Sequence, residues 1–396
     1  MTTATFRKIF NRDFFLACCA QFAFTFVINL LIPTLPLYLS GLGASEVEIG
    51  VLIGSFFVSA LVLRLFVGKG LTKIPEKNFM IAGALLFGLT SLAYVVAPPF
   101  WPFLTVRLLQ GVGLALFHTA AYTLVAHIST SAHRAQSISY FILSFNVSGA
   151  LGPPLGMFLV NYTSFTVLFL VCAGLSVAAL LITMKLGQSR VTAGQDTSTD
   201  DGSFFSRKAL SPSIVNSLTF LTWGSLHAFF PLYAVQNGVT NPGIFFSVLA
   251  VTLILGRTLG GRMLDLYSTE KIILPCILLC TISLTMLAFS KTLPMFIVAA
   301  VILGAGYTLL TPSLLAIAME RAGSSQGLAM GTFTAVADLG LVLGPVVMGI
   351  VIYGSNYTTM FLCLAFVELL SLFYFHLFVR RKGESAPDRN HEISAR

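Results

Sequence analysis

The sequence predicts an all-α integral membrane protein, with twelve transmembrane helices arranged as two pseudo-symmetric six-helix bundles. Three observations carry that prediction. First, twelve apolar runs fill the chain from Asp13 to Val379, and 56% of residues are hydrophobic against 10% charged. A soluble fold of this length could not bury that much apolar surface. Second, landmarks of the first six runs return in the last six, in the same order, about 193 residues later. Third, basic side chains crowd every second loop.

The runs read as spans over roughly 13–39, 47–69, 78–98, 101–127, 135–160, 164–186, 211–236, 243–266, 271–290, 294–319, 326–354 and 358–379. About 20 apolar residues in a helix cross ~30 Å of hydrocarbon. Backbone groups in lipid must pair internally, which leaves helices or a closed barrel. Barrel strands are shorter and alternate apolar with polar, unlike these runs. Run 1 follows Arg7, Lys8 and Arg12, which resemble the start of a signal peptide. It continues through Leu39 without a small-residue cleavage site and reads as a membrane helix. It ends at Pro36-Leu37-Tyr38, as run 7 ends at Pro231-Leu232-Tyr233. Run 2 carries Arg64-x-x-x-Gly68 and run 8 Arg257-x-x-x-Gly261. Gly111-x-Gly113 in run 4 returns as Gly304-x-Gly306 in run 10. Gly152-Pro153 in run 5 returns as Gly344-Pro345 in run 11. Asn161-Tyr162-Thr163 precedes run 6 and Asn356-Tyr357-Thr358 precedes run 12. Both are formal glycosylation acceptors, but duplication explains their recurrence.

The expected division is a first bundle over 1–187, a linker over 188–210, a second bundle over 211–380 and a tail over 381–396. The linker is polar, with Asp196, Asp200 and Asp201, and the charged tail is expected to be disordered. The net charge of +8 does not point to nucleic acid, because most of the cations lie in the loops between spans. Lys69, Lys73 and Lys77 follow run 2, Arg134 follows run 4, and Lys185, Arg190, Arg207 and Lys208 follow run 6. The intervening loops carry only Lys291. That pattern places both termini in the cytoplasm. The six cysteines lie inside apolar runs, without disulfide or zinc spacing.

A duplicated helical bundle in a membrane is the build of a secondary transporter, with its site between the halves. No nucleotide loop, metal-ligand cluster or nucleophile–base spacing is present, so neither an enzyme, a cofactor nor an ATP-driven pump is expected. Ionisable groups inside spans are expensive and are functional by default. Asp338 sits near the middle of run 11, and its repeat mate in run 5 is Asn146. A carboxyl there is open to reversible protonation, since burial favours its neutral form and a neighbouring cation its charged one. Arg107 in run 4 is the expected cation, although it could instead pin its helix to carbonyls of a neighbour.

The chain resembles the major facilitator superfamily, most closely its twelve-helix drug:proton antiporter-like branch. Arg107-Leu108-Leu109-Gln110-Gly111-Val112-Gly113 is similar to that family's R-x-x-Q-G-x-G pattern. Gly149-Ala150-Leu151-Gly152-Pro153-Pro154-Leu155-Gly156 is close to the antiporter signature of helix 5. The loop after run 2 matches the family pattern at Gly68 and in Lys69, Lys73 and Lys77, but Thr72 replaces the usual Asp. The second half has the fuller copy, Gly261-Arg262-Met263-Leu264-Asp265.

The resemblance implies a monomeric, multi-pass protein of the cell inner membrane, without a cofactor. It also implies alternating access and proton-coupled efflux, by antiport, of small apolar or amphipathic compounds. Proton coupling falls to Asp338, Arg107, His118 and His227. Substrate-cavity groups are Gln21, Asn29, Gln110, Tyr122, Asn146, Trp223, Tyr307 and Thr311. Gly68, Lys69, Thr72, Lys73, Lys77, Gly261, Arg262 and Asp265 would gate the cytoplasmic side. Gly152, Pro153, Gly156, Gly344 and Pro345 would serve as hinge or packing positions, where small residues let helices approach and proline permits a bend. Glu368, in peripheral helix 12, is expected to pair with a neighbouring helix. An alternative is a proton-coupled carrier of a specific, anionic metabolite held by Arg107. A non-transporting receptor or scaffold is a more distant one.

Overall fold

The computed structural model describes residues 12–97, 100–129, 134–187, 206–266, 269–323 and 326–380. Among these, twelve α-helices account for nearly everything and no strand occurs. They are α1 (Arg12–Gly41), α2 (Glu46–Gly70), α3 (Glu76–Val96), α4 (Trp101–Ile128), α5 (Arg134–Tyr162) and α6 (Phe165–Met184). The second set is α7 (Leu210–Gln236), α8 (Gly243–Leu266), α9 (Thr269–Phe289), α10 (Leu293–Ala322), α11 (Gln326–Gly354) and α12 (Tyr357–Tyr374). The chain continues from α12 as a π-helical stretch, Phe375–Arg380, where the sequence had predicted an unbroken helix. Eleven helices are long and apolar enough to cross a membrane. Within α8 the described residues form an apolar stretch over Gly243–Arg257.

Local chemistry sets the helix starts. Ser45 caps α2 in a reciprocal box with Glu48, whose carboxylate accepts from the Ser45 N–H at 2.8 Å. Ser164 caps α6 and Asn356 caps α12. The two Asn-Tyr-Thr repeats have therefore diverged. Asn356 Oδ1 accepts from the Thr359 N–H at 2.9 Å, whereas Asn161 lies inside α5 and donates to the Thr240 carbonyl at 2.9 Å.

Packing follows the duplication. α1 lies on α5 and α6 as α7 lies on α11 and α12, and α2 lies on α4 as α8 lies on α10. α3 joins α4 to α6 as α9 joins α10 to α12. Two hydroxyl clamps repeat as well: Tyr38 donates to the Tyr94 carbonyl at 3.5 Å and Tyr233 to the Ser290 carbonyl at 2.6 Å. The first six helices meet the last six chiefly through α2–α11 and α5–α8. Large apolar side chains such as Phe15, Phe66, Leu181, Ile282 and Phe366 stay exposed on the outer faces, where lipid solvates them.

Among the described residues, the closest backbone contacts between the halves lie at one end, the end of the α1–α2 and α7–α8 turns. There a Cβ on Gly54 would stand 2.9 Å from the Val342 carbonyl, and one on Gly349 2.6 Å from that of Glu46. Gly243 abuts Pro153 and Pro154, and Asn241 donates to the Pro154 carbonyl at 3.3 Å. Toward the opposite end, which carries Arg12 and Arg380, Gly68 and Gly331 have nothing within 4 Å of a Cβ position.

Candidate functional site

A cavity of about 410 Å³ lies between the two sets of helices. Its wall is mostly Ile, Leu and Phe, drawn chiefly from α1, α2, α4, α5, α7, α8, α10 and α11; Phe87 of α3 also reaches it. None of the lining residues belongs to α6, α9 or α12. Among the lining residues, four carry formal charge: Arg64, Arg107, Arg257 and Asp338.

Asp338 is paired, but not with the cation expected from the sequence. Its Oδ2 accepts from Arg64 Nη1 in a bond that joins α11 to α2 across the two halves. Arg107 is engaged elsewhere. Its Nε donates to the Leu52 carbonyl at 3.0 Å, Nη1 to Gln110 Oε1 at 2.7 Å and Nη2 to the Ile53 carbonyl at 3.4 Å. Its guanidinium also lies 4.5 Å from the centroid of the Phe56 ring. Leu52 and Arg64 are separated by some three turns of α2, which at 1.5 Å per residue puts the two arginines' anchor points about 18 Å apart along that helix. Arg107, the candidate partner that the sequence offers for Asp338, therefore does not meet it. The sequence held a signal for the true partner, since Arg64 recurs in register as Arg257.

His118 and His227 both face the cavity. Gln21 Nε2 lies 3.0 Å from His118 Nε2, while its ring packs edge-on against Tyr122 and Phe145. His227 is held between aromatic rings, 5.1 Å from Trp223 and 5.4 Å from Phe246. The first-half contact Gln21–His118 has a second-half counterpart in Thr311, which donates to Asn216 Oδ1 at 3.1 Å.

Of the groups expected to form the cavity, Asn29, Gln110, Asn146, Trp223, Tyr307 and Thr311 stand on its wall. Gln21 and Tyr122 stand behind it: Gln21 is fully buried on α1, and Tyr122 packs on Phe141 and His118. Asn29 is fixed by donating to the Thr25 carbonyl and to Ser148 Oγ, both at 2.9 Å. Gln110 accepts from Tyr94 as well as from Arg107.

The proposed hinge positions are tight packing points. A Cβ on Gly152 would stand 2.5 Å from Asn29 Cβ, and one on Gly344 2.9 Å from Ser225 Oγ. Gly156 backs onto Leu30, and Pro345 touches both Gly50 and Gly224. α5 and α11 run on as helix through Pro153, Pro154 and Pro345.

Of the expected gating residues, Gly68, Lys69, Thr72 and Lys73 are exposed, and Thr72 donates to the Lys69 carbonyl at 2.8 Å within its own turn. Lys77 closes the end of α6, donating to the Met184 and Leu186 carbonyls at 2.7 and 2.6 Å. That is a favourable place for a cation. Gly261, Arg262 and Asp265 fall within α8, but their side chains lie outside the described residues.

Two buried carboxyls complete the inventory. Glu76 opens α3 and pairs with His127 at the end of α4, a contact the sequence reading missed. Glu368 is wholly buried on α12 and accepts from Thr222 of α7 at 3.2 Å.

Comparisons agree with this architecture. The model of the Major Facilitator Superfamily matches residues 17–245 and 212–395, the second match starting close to where α7 does. Multidrug resistance protein 2 of Bacillus subtilis is 24% identical over 378 residues, covering 91% of this chain and 93% of that protein. Staphylopine export protein of Staphylococcus aureus is 25% identical over 352 residues, covering 82% and 84%. The crystal structure of the nucleoside transporter NupG superposes with a TM-score of 0.79 at 14% identity, over 92% of this chain and 98% of that one. The twelve helices, the repeat and the family match together place this chain in the Major Facilitator Superfamily: it is a multi-pass membrane transporter, not an enzyme.

Proposed function

We propose that the protein is a proton-coupled exporter of small, mostly apolar or amphipathic compounds. It works by alternating access in the cell inner membrane, as a monomer with both termini cytoplasmic. Residues 1–187 and 211–380 act as two bundles that rock about the cavity, tethered by 188–210. One observation carries the reading: the Arg64–Asp338 pair joins the two halves inside that cavity. A proton on Asp338 removes the charge that holds Arg64, so protonation and the relative position of α2 and α11 are linked. Loss of the proton restores the tie. The mostly apolar wall suits apolar cargo, with a few polar groups to orient it. The names of two relatives, a multidrug resistance protein and an export protein, favour export over uptake. With contacts gathered at the end away from the termini, this conformation corresponds to one that faces the cytoplasm.

Proteoliposomes test the reading. Pyranine trapped inside reports proton movement when lipophilic cations, neutral compounds and organic acids are added in turn. At least one class is expected to drive proton flux in the wild type, and none in Asp338→Asn. Full proton flux in the Asp338→Asn protein would overturn it.

A further inference from the structure

The three arginines of the cavity are not equivalent. Arg64 is held by Asp338, and Arg107 by two carbonyls, Gln110 and the Phe56 ring. Arg257 is also on the cavity wall, more than a third of it exposed there, and among the described residues it has no hydrogen-bond or ion-pair partner. The repeat explains why. Arg257 on α8 is the mate of Arg64 on α2, and the mate of Asp338 on α11 is Asn146 on α5. α8 packs on α5 much as α2 packs on α11, and Asn146 lines the same cavity. One side of the pseudo-symmetric site thus has a cation with its carboxylate. The other has the cation and an amide that cannot neutralise it. Tyr122, behind the wall, is within electrostatic reach of both Arg64 and Arg257, so the two mates flank one region of the cavity.

An unneutralised guanidinium at this depth in a membrane is expensive and calls for an anion. Its planar fork suits two oxygens of a carboxylate, sulfonate or phosphate. The surrounding wall is apolar, which favours a hydrophobic body attached to that group. We infer that Arg257 is a binding residue for an acidic group on the transported molecule, and that the preferred cargo is a small, largely apolar organic acid. The inference rests on reading this cavity as the substrate site.

The probes are 2-naphthoate and 2-naphthamide, alike in shape but differing in charge, titrated calorimetrically into the full-length purified protein at neutral pH. Wild type is expected to bind the acid at least roughly tenfold more tightly than the amide. Arg257→Gln should erase that preference, and Arg257→Lys should keep part of it. Asn146→Asp supplies the missing carboxylate and should also erase it, in a protein whose thermal unfolding shows that it is folded. Equal binding of the two probes by wild type, no binding of naphthoate, or a preference that survives both Arg257→Gln and Asn146→Asp would overturn the assignment. The proteoliposome assay separates this from the exporter reading. Naphthoate binding without any coupled proton flux would sink coupled export alone. Coupled flux with equal binding of acid and amide would sink the acid anchor alone.

Discussion

At the scale of residues, the three cavity arginines are engaged in three different ways. Arg64 and Asp338 form a pair that spans the halves, with 34% and 14% of their side chains exposed. An ion pair that is neither fully buried nor fully solvated has a moderate worth, and a double-mutant cycle is the way to measure it. Arg64→Gln and Asp338→Asn should each destabilise the folded protein, and the double variant should recover about 0.5–3 kcal/mol of the summed loss. Additive effects in thermal unfolding would show that the two side chains act independently. Arg107 differs, since its guanidinium ties α4 to the Leu52 and Ile53 carbonyls of α2. Arg107→Lys keeps the charge but cannot span those acceptors. It should cost about 1–3 kcal/mol of stability while leaving the pH dependence of transport in place. A shifted pH profile with unchanged stability would instead put Arg107 in the coupling machinery.

At the scale of elements, glycines separate into those that hold helices together and those that do not. α5 lies against α1 along Ser148 and Gly152, where Ser148 Oγ bonds to both Thr25 and Asn29. Gly152→Leu would drive a side chain into Asn29, with a Cβ already 2.5 Å from its Cβ. Overpacking of that kind costs about 1–3 kcal/mol, and the melting temperature should fall accordingly. Gly68, near the end of α2, has nothing within 4 Å of a Cβ. Gly68→Ala should therefore leave the fold intact, or stabilise it by up to ~1 kcal/mol through helix propensity. Equal damage from both substitutions would mean that Gly68 is needed in a conformation with the opposite end closed. That comparison thus tests packing at one end of the molecule and motion at the other.

At the scale of the whole molecule, the two sets of six helices touch at the end of the α1–α2 and α7–α8 turns. Asn161 reaches Thr240, Asn241 reaches Pro154, and Ser247 reaches the Ala150 carbonyl. Alternating access requires those contacts to break. Spin labels at positions 161 and 240 should show one short distance when the protein faces the cytoplasm and a second, longer one when it faces outward. Removing the tie between α2 and α11 by Asp338→Asn should change the ratio of the two populations. A shift of about 1–2 kcal/mol corresponds to roughly a 5- to 30-fold change in that ratio. Identical distance distributions in wild type and variant, measured by double electron–electron resonance, would detach Asp338 from the conformational equilibrium.

The sequence by itself determined the helices, because a bilayer imposes length and apolarity on every span, and both are visible residue by residue. Eleven expected spans matched helices to within a few residues at each end; the run at 358–379 instead ends as helix at Tyr374 and turns π-helical. The repeat was equally legible, since duplication leaves glycines and prolines at packing points where larger side chains do not fit. Gly152 and Gly344 are such points. Only the tertiary structure decided who pairs with whom. Asp338 and Arg107 were both visible as ionisable groups inside spans, yet Arg107 binds carbonyls of α2 and Asp338 binds Arg64. Depth along a helix can be counted from the sequence, but the rotation that turns a side chain toward one neighbour and not another is set by packing. The same rotation placed Gln21 and Tyr122 behind the cavity wall, put Glu76 against His127, and left Arg257 facing the cavity with no carboxylate partner among the described residues.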